Sequence, residues 1–289
     1  MVTGTASTRE AHLRRKVRHR HCRGVSLTEL IVAVALLSTA TAGGLSAFSK
    51  AAQSRREAGA VQQLHEQVQY VFATLEPEIQ MAGYFGASGR PLRLPEDAIP
   101  EAAGRCGKDL VARIDLPLQA SQAWQLDCEP RGGTVAGTQV LVLRRLSSRL
   151  ASFPEPGRAQ WLNSATRPGQ GSLHWQGDAP WTAAGAASGA ELRELIVRAW
   201  YVSQASDGDP ALPALRVKSL TSIAGTPAFI DTEVMPGVED LQVELLPGEA
   251  APEAVRIRLR VRADGTALPG GAPRTLEVAR QIRLRNAAA

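Results

Sequence analysis

Glu29 is the only charged residue in the apolar stretch 25–48, and it stands five positions past Gly24. A carboxylate in a low-dielectric layer is stable when it is paired. Its position therefore predicts an ion pair with a cation outside its own segment, or an acid that reaches the headgroup layer from near a helix end. Cysteine offers a second chemistry. Cys22 lies in a basic run, and only Cys106 and Cys128 follow it. In an exported domain those two would form one disulfide; the alternative is a pair of buried free thiols. Two cysteines without nearby histidines fall short of a four-ligand metal site. His12, His19, His21 and Cys22 have ligand-type side chains, but arginines interleave them, so they read as a solvated basic run. Cationic neighbours also oppose a divalent ion.

Little else suggests catalysis. There is no G-x-S-x-G, H-E-x-x-H, P-loop, or G-x-G-x-x-G after a strand. Beyond the first residues only His65 and His174 remain, and both read as structural or surface residues. Glu239-Asp240 enters a predicted strand, where alternation turns neighbouring side chains to opposite faces. The expectation is a protein with no catalytic residues, no metal and no cofactor.

The elements that position Glu29 follow from charge and periodicity. The chain of 289 residues carries 33 basic and 28 acidic residues, a net of +5. Seven of the bases (Arg9, Arg14, Arg15, Lys16, Arg18, Arg20 and Arg23) lie in the first 24 residues, against Glu10 alone. The remainder holds 26 basic and 27 acidic residues, a net of −1. A basic nucleic-acid footprint needs its charge on the folded domain, so nucleic acid is excluded as a partner. Positive charge beside an apolar segment instead orients a membrane protein with that end in the cytoplasm. Residues 25–48 are long enough to cross a bilayer, which takes about 20 residues. A secretory signal is the competing reading, with Ala40-Thr41-Ala42 as a small-residue cleavage site. Length and the cost of Glu29 in a signal core favour a retained anchor.

The helical pattern continues past the anchor. Val61, Leu64, Val68, Val71, Leu75 and Ile79 recur at spacings of three and four, one stripe of an amphipathic helix. Gly43-Gly44 weakens the helix, and Pro77 is expected to kink or end it near Glu76. The apolar stripe needs a partner, and the rest of the chain is β-rich. Strands are predicted at 138–143, 194–202, 214–217, 238–246, 254–261 and 276–284. In 255–261 the alternation is strict, which gives one apolar and one wet sheet face. Short connections predict antiparallel pairing. The stretches 86–137 and 147–190, rich in Gly, Pro, Ala and Ser, read mostly as loop, with Cys106 and Cys128 as a tie in the first.

The opening Gly24, an apolar residue, then Glu29 at the fifth position of an apolar helix resembles the class III signal of type IV pilins and type II secretion pseudopilins. Downstream the chain is similar to the PilW family of minor pilins. The residues that carry this are Glu78-Ile79-Gln80-Met81-Ala82-Gly83-Tyr84-Phe85-Gly86, then Gly237-Val238-Glu239-Asp240-Leu241-Gln242-Val243, then Arg283-Leu284-Arg285-Asn286. They occur in the family's order and span most of the chain. Val25 stands where the family usually has phenylalanine, and Pro77 interrupts a region that is usually continuous helix.

The resemblance implies an α+β, pilin-like fold: a long N-terminal helix, transmembrane in its first half, packed on an antiparallel β-sheet domain. The implied division is a cleaved basic leader at 1–24, a transmembrane half-helix at 25–48, an amphipathic periplasmic half-helix at 49–83 and a β-rich periplasmic head at 84–289. A prepilin peptidase would cut between Gly24 and Val25 and methylate the amine of Val25, and Glu29 would set subunit register. The implied partners are other minor pilins and the major pilin through the helix, the inner membrane, and a tip adhesin. The implied role is to prime pilus assembly near the tip and so support twitching motility or adhesion. A GspJ-type pseudopilin of type II secretion, and a bitopic periplasmic sensor or binding protein with an uncut leader, are the competing readings.

Overall fold

The computed structural model describes residues 24–86, 89, 93–164, 170–177, 179, 181, 189–248, 252–263 and 275–286. The basic leader, with His12, His19, His21 and Cys22, lies outside the described residues apart from Gly24. The chain divides into two compact units, residues 1–55 and 56–289.

The first unit is helical from Leu27, where α1 (Leu27–Gln80) begins. Residues 24–51 are all exposed. Among the described residues α1 is the one helix long and apolar enough to cross a membrane. At 1.5 Å per residue its stretch to Phe48 covers about 33 Å, against about 30 Å of bilayer hydrocarbon. Gly43 and Gly44 do not interrupt it.

In the second unit α1 changes character. Ala60, Leu64, Val68, Val71, Phe72, Leu75 and Ile79 are buried. The predicted stripe holds except at its start: Val61 is exposed and Ala60 takes its place. One residue step turns a side chain about 100° round a helix, so Ala60 and Val61 do not share a face.

Among the described residues ten strands complete this unit, all paired antiparallel. They are β1 (Leu118–Ser121), β2 (Val140–Leu146), β3 (Pro156–Asn163), β4 (Gly171–Gln176), β5 (Glu191–Ser203), β6 (Ala214–Ile223), β7 (Thr226–Pro236), β8 (Val238–Leu246), β9 (Ala254–Arg262) and β10 (Thr275–Arg283). The larger sheet runs β1-β2-β5-β3-β4, with β6 on β5 and β7 on β6; β10-β9-β8 form a three-stranded sheet. The fold is therefore α+β.

Period-2 alternation places the core on both faces of the larger sheet. Leu141, Leu143, Trp200 and Val202 meet the α1 stripe and the inner residues of β8 and β9, including Leu241, Val255, Ile257 and Leu259. Val140, Val142, Val197, Ala199 and Tyr201 face a second core that contains Cys106 and α2 (Lys108–Ala112). Burial on both faces explains why β2 and β5 read as near-continuous apolar runs. On β9 the expected alternation holds, with Val255, Ile257, Leu259 and Val261 buried between arginines.

Several sequence expectations are corrected. α1 does not end near Glu76 but runs through Pro77 to Gln80. Leu75 and Ile79, on either side of the proline, are fully buried. Glu78 is held by two arginines, Arg145 at 2.9 Å and Arg198 at 2.8 Å. These tertiary contacts offset the lost amide donor and the ring clash. The stretch 147–190 is loop over most of its described residues, but it also holds β3 and β4, and β7 lies outside the predicted strands. In 86–137 the structure places short turns, α2 and β1. Glu239 and Asp240 do not follow simple alternation, because the register of β8 on β9 shifts between Val238 and Asp240. Glu239 pairs with Arg260 and Arg262.

The segments 78–86 and 283–286 meet at the end of α1. The amide of Arg285 donates to the carbonyl of Gln80 at 3.0 Å. Gly83, with φ of 75°, sits so close that a Cβ would meet the Asn286 carbonyl and the Pro117 ring, each at 3.2 Å. Glycine is the residue that takes this conformation without strain. Gly237 repeats the case, since its Cβ would lie 2.5 Å from the Arg262 carbonyl.

Candidate functional site

Gly24, Val25 and Ser26 precede the helix, and all three are exposed. The Gly24–Val25 bond thus lies in exposed backbone outside the helix. Ser26 is the N-cap. Its carbonyl accepts from the Leu30 amide at 3.1 Å, while its own amide donates to Glu29 Oε2 at 3.4 Å. Ser26-Leu27-Thr28-Glu29 is the S-x-x-E pattern of a capping box, in which the third residue reaches back to the cap amide. The box is half-formed, because the Ser26 hydroxyl bonds Thr28 Oγ1 at 2.7 Å instead of the Glu29 amide. Glu29 also lies in the first turn, where the helix dipole favours negative charge. The capping pattern is local and is readable in the sequence alone.

The hydroxyls farther along this half turn inward. Ser38, Thr39 and Ser46 donate to the carbonyls of Ala35, Leu36 and Gly43 at 2.8–2.9 Å. Such i−3 bonds satisfy hydroxyls without water. That lowers the cost of these hydroxyls in a hydrocarbon environment.

In the second unit Cys106 and Cys128 are disulfide-bonded, with Cα atoms 4.4 Å apart. A charged cluster lies on β6 and β7. Arg216 on β6 is buried. Its Nε donates to Asp231 Oδ1 at 2.8 Å, and Nη1 to Asp207 Oδ1 at 3.1 Å and Glu233 Oε2 at 3.2 Å. Lys218 Nζ lies 3.0 Å from Asp231 Oδ2, and the Tyr201 hydroxyl donates to the same oxygen at 2.7 Å. The β6–β7 register makes this possible, because it sets Arg216 against Glu233 and Lys218 against Asp231.

Burial alone would raise the Asp231 carboxyl, but its bonds from Arg216, Tyr201 and Lys218 outweigh this and hold it below its ordinary value. Burial, and then the bond to Asp231, push the Tyr201 hydroxyl well up. Trp124 packs edge-on against Tyr201 at 4.8 Å, and its Nε1 donates to the Cys128 carbonyl at 2.8 Å. The disulfide loop is thereby tied to the sheet. Every acid in the cluster accepts from a cation, so the arrangement braces the fold and offers no free base.

His65 is exposed on α1. His174 Nε2 lies 2.8 Å from the Ser172 hydroxyl, a contact between residues on one face of β4. Among the described residues no group of three or more His, Cys, Asp or Glu could hold a metal ion. Glu29 belongs to the first unit, and Cys106 and Cys128 to the second. No protein-family model matches the chain, and comparisons with curated proteins and with solved structures return no match.

Proposed function

We propose that the chain is a minor pilin of the PilW type, cut between Gly24 and Val25, that primes type IV pilus assembly through its N-terminal helix. The observation that carries this is a single helix with two surfaces of opposite need. Its first half is apolar, exposed and charged only at Glu29; its second half buries one face in a folded domain. Such a helix can move from lipid to the company of other helices without refolding the head. Its inner-membrane origin, periplasmic head and pairing of Glu29 with a neighbouring subunit's terminal amine belong to the same proposal. So does a protein that works by assembly rather than catalysis.

The N-terminal sequence of the protein extracted from membranes tests it. A mature chain that starts at Val25 is expected; an intact leader would overturn the reading in favour of a bitopic membrane protein. Deletion is expected to abolish surface pili and twitching. Loss of enzyme export with normal pili would point to a type II secretion pseudopilin instead.

A further inference from the structure

A cavity of about 470 Å³ opens beside α2, and its wall includes Arg113, Gln119, Ser121, Gln125, Asp127 and Arg144. Arg144, on β2, is buried, and its guanidinium meets neutral acceptors: the Leu110 carbonyl at 2.7 Å, the Leu116 carbonyl at 2.9 Å and Gln119 Oε1 at 3.3 Å. No carboxylate oxygen among the described residues forms an ion pair with it. Burial, and then the positive charge of Arg113, lower its pKa to about 10. The acids Glu96 and Asp109 in the same wall are engaged by Arg93.

A buried charge of this kind is costly unless an anion meets it. A guanidinium has five N–H donors in a planar fork that matches a carboxylate. Gln119 holds one arm of that fork with a long, neutral bond, the contact easiest to displace. The volume falls in the range of small-ligand sites.

We propose that this cavity binds a small monocarboxylate with a hydroxylated body, its carboxylate seated on Arg144. Three acids in the wall, Asp127 among them, repel a multiply charged anion. Gln119, Ser121 and Gln125 supply hydrogen bonds to hydroxyls. The site is independent of the assembly role, and its failure leaves that reading untouched.

Glucuronate is a suitable probe, added to the full chain in detergent while thermal unfolding is followed by tryptophan fluorescence. Glucuronate at saturation is expected to raise Tm by about 2–4 °C, with no shift from chloride at equal ionic strength and a smaller one from phosphate. Gln119→Glu places a carboxylate on the same arm of Arg144. It is expected to raise Tm without ligand and to abolish the glucuronate response. Absence of any glucuronate shift in the unmodified chain overturns the proposal. So does a phosphate shift as large, a glucuronate response that survives in Gln119→Glu, or a Gln119→Glu protein less stable than its parent.

Discussion

The two halves of α1 share one backbone geometry and differ in where their partners come from. Leu36 is 65% exposed and Phe72 is 0% exposed, on the same helix. The contrast extends to charge. Glu78 is gripped by Arg145 and Arg198, while the hydrogen bond to Glu29 comes from the amide of its own helix cap. Helicity is therefore no guide to what a segment requires. The second half buries its apolar stripe inside the chain, and the first half leaves its apolar side chains exposed.

The sharpest way to break this comparison is to truncate one side chain in each half. Phe72→Ala is expected to cost about 3–5 kcal/mol, the range for a large aromatic removed from a packed core. Leu36→Ala should leave denaturant unfolding of the detergent-solubilised protein within about 0.5 kcal/mol of its parent, as an exposed change does. Equal losses would mean that the first half also packs on the head.

Charge gives the next test. Arg216→Met removes a partner from the part-buried Asp231 and Glu233, while exposed Asp207 keeps Arg131 and Asp231 keeps Lys218. The loss is expected toward the lower end of the about 3–5 kcal/mol that breaking a buried pair costs. A pH series separates electrostatics from packing. The folded-state pKa of Asp231 lies below its unfolded value. Its stabilisation is therefore complete above about pH 4 and is lost as pH falls toward the folded value. The parent protein should lose stability steeply below about pH 4, and Arg216→Met should show a shallower acid limb. An unchanged slope would remove Arg216 from the account.

The spacing of Leu64, Val68, Val71, Leu75 and Ile79 announces the buried half of α1, because 3.6-residue periodicity is local information. Strict alternation announces β9 for the same reason. β3 was not legible: Pro156-Gly157-Arg158-Ala159-Gln160 lacks the β-branched residues that favour strands. It forms because β4 and β5 flank it and Trp161 is buried. Arg144 and Arg216 were equally hidden. An arginine in a strand reads as a wet face, and only distant carbonyls and carboxylates bring it inside. Helix continuity through Pro77 likewise depends on Arg145 and Arg198, far away in sequence.

Removal of the disulfide should have a smaller effect, confined to the second unit. The link closes a loop with a sequence separation of 22, for which chain-entropy arguments give about 3 kcal/mol. Cys106→Ser with Cys128→Ser should lower Tm and expose Trp124 to quenchers, while the helicity of the first half stays constant. A loss of helicity in detergent would show that the two halves are coupled after all.

The smallest effect on stability carries the most information about function. Glu29 has two candidate jobs, closure of its own helix N-terminus and pairing with a cation on another subunit. Glu29→Gln separates them, because a capping box accepts Gln as well as Glu at this position, whereas an ion pair needs the charge. Neither Glu29→Gln nor Glu29→Ala should alter unfolding of the second unit, since the residue is exposed in the first. If pairing sets register, both variants are cleaved normally and neither restores pili to a deletion strain. If capping is the job, Glu29→Gln restores them and Glu29→Ala does not. That second outcome would give the lone acid of the apolar segment a partner inside its own helix, and would remove the main electrostatic reason for the first half to seek a neighbour.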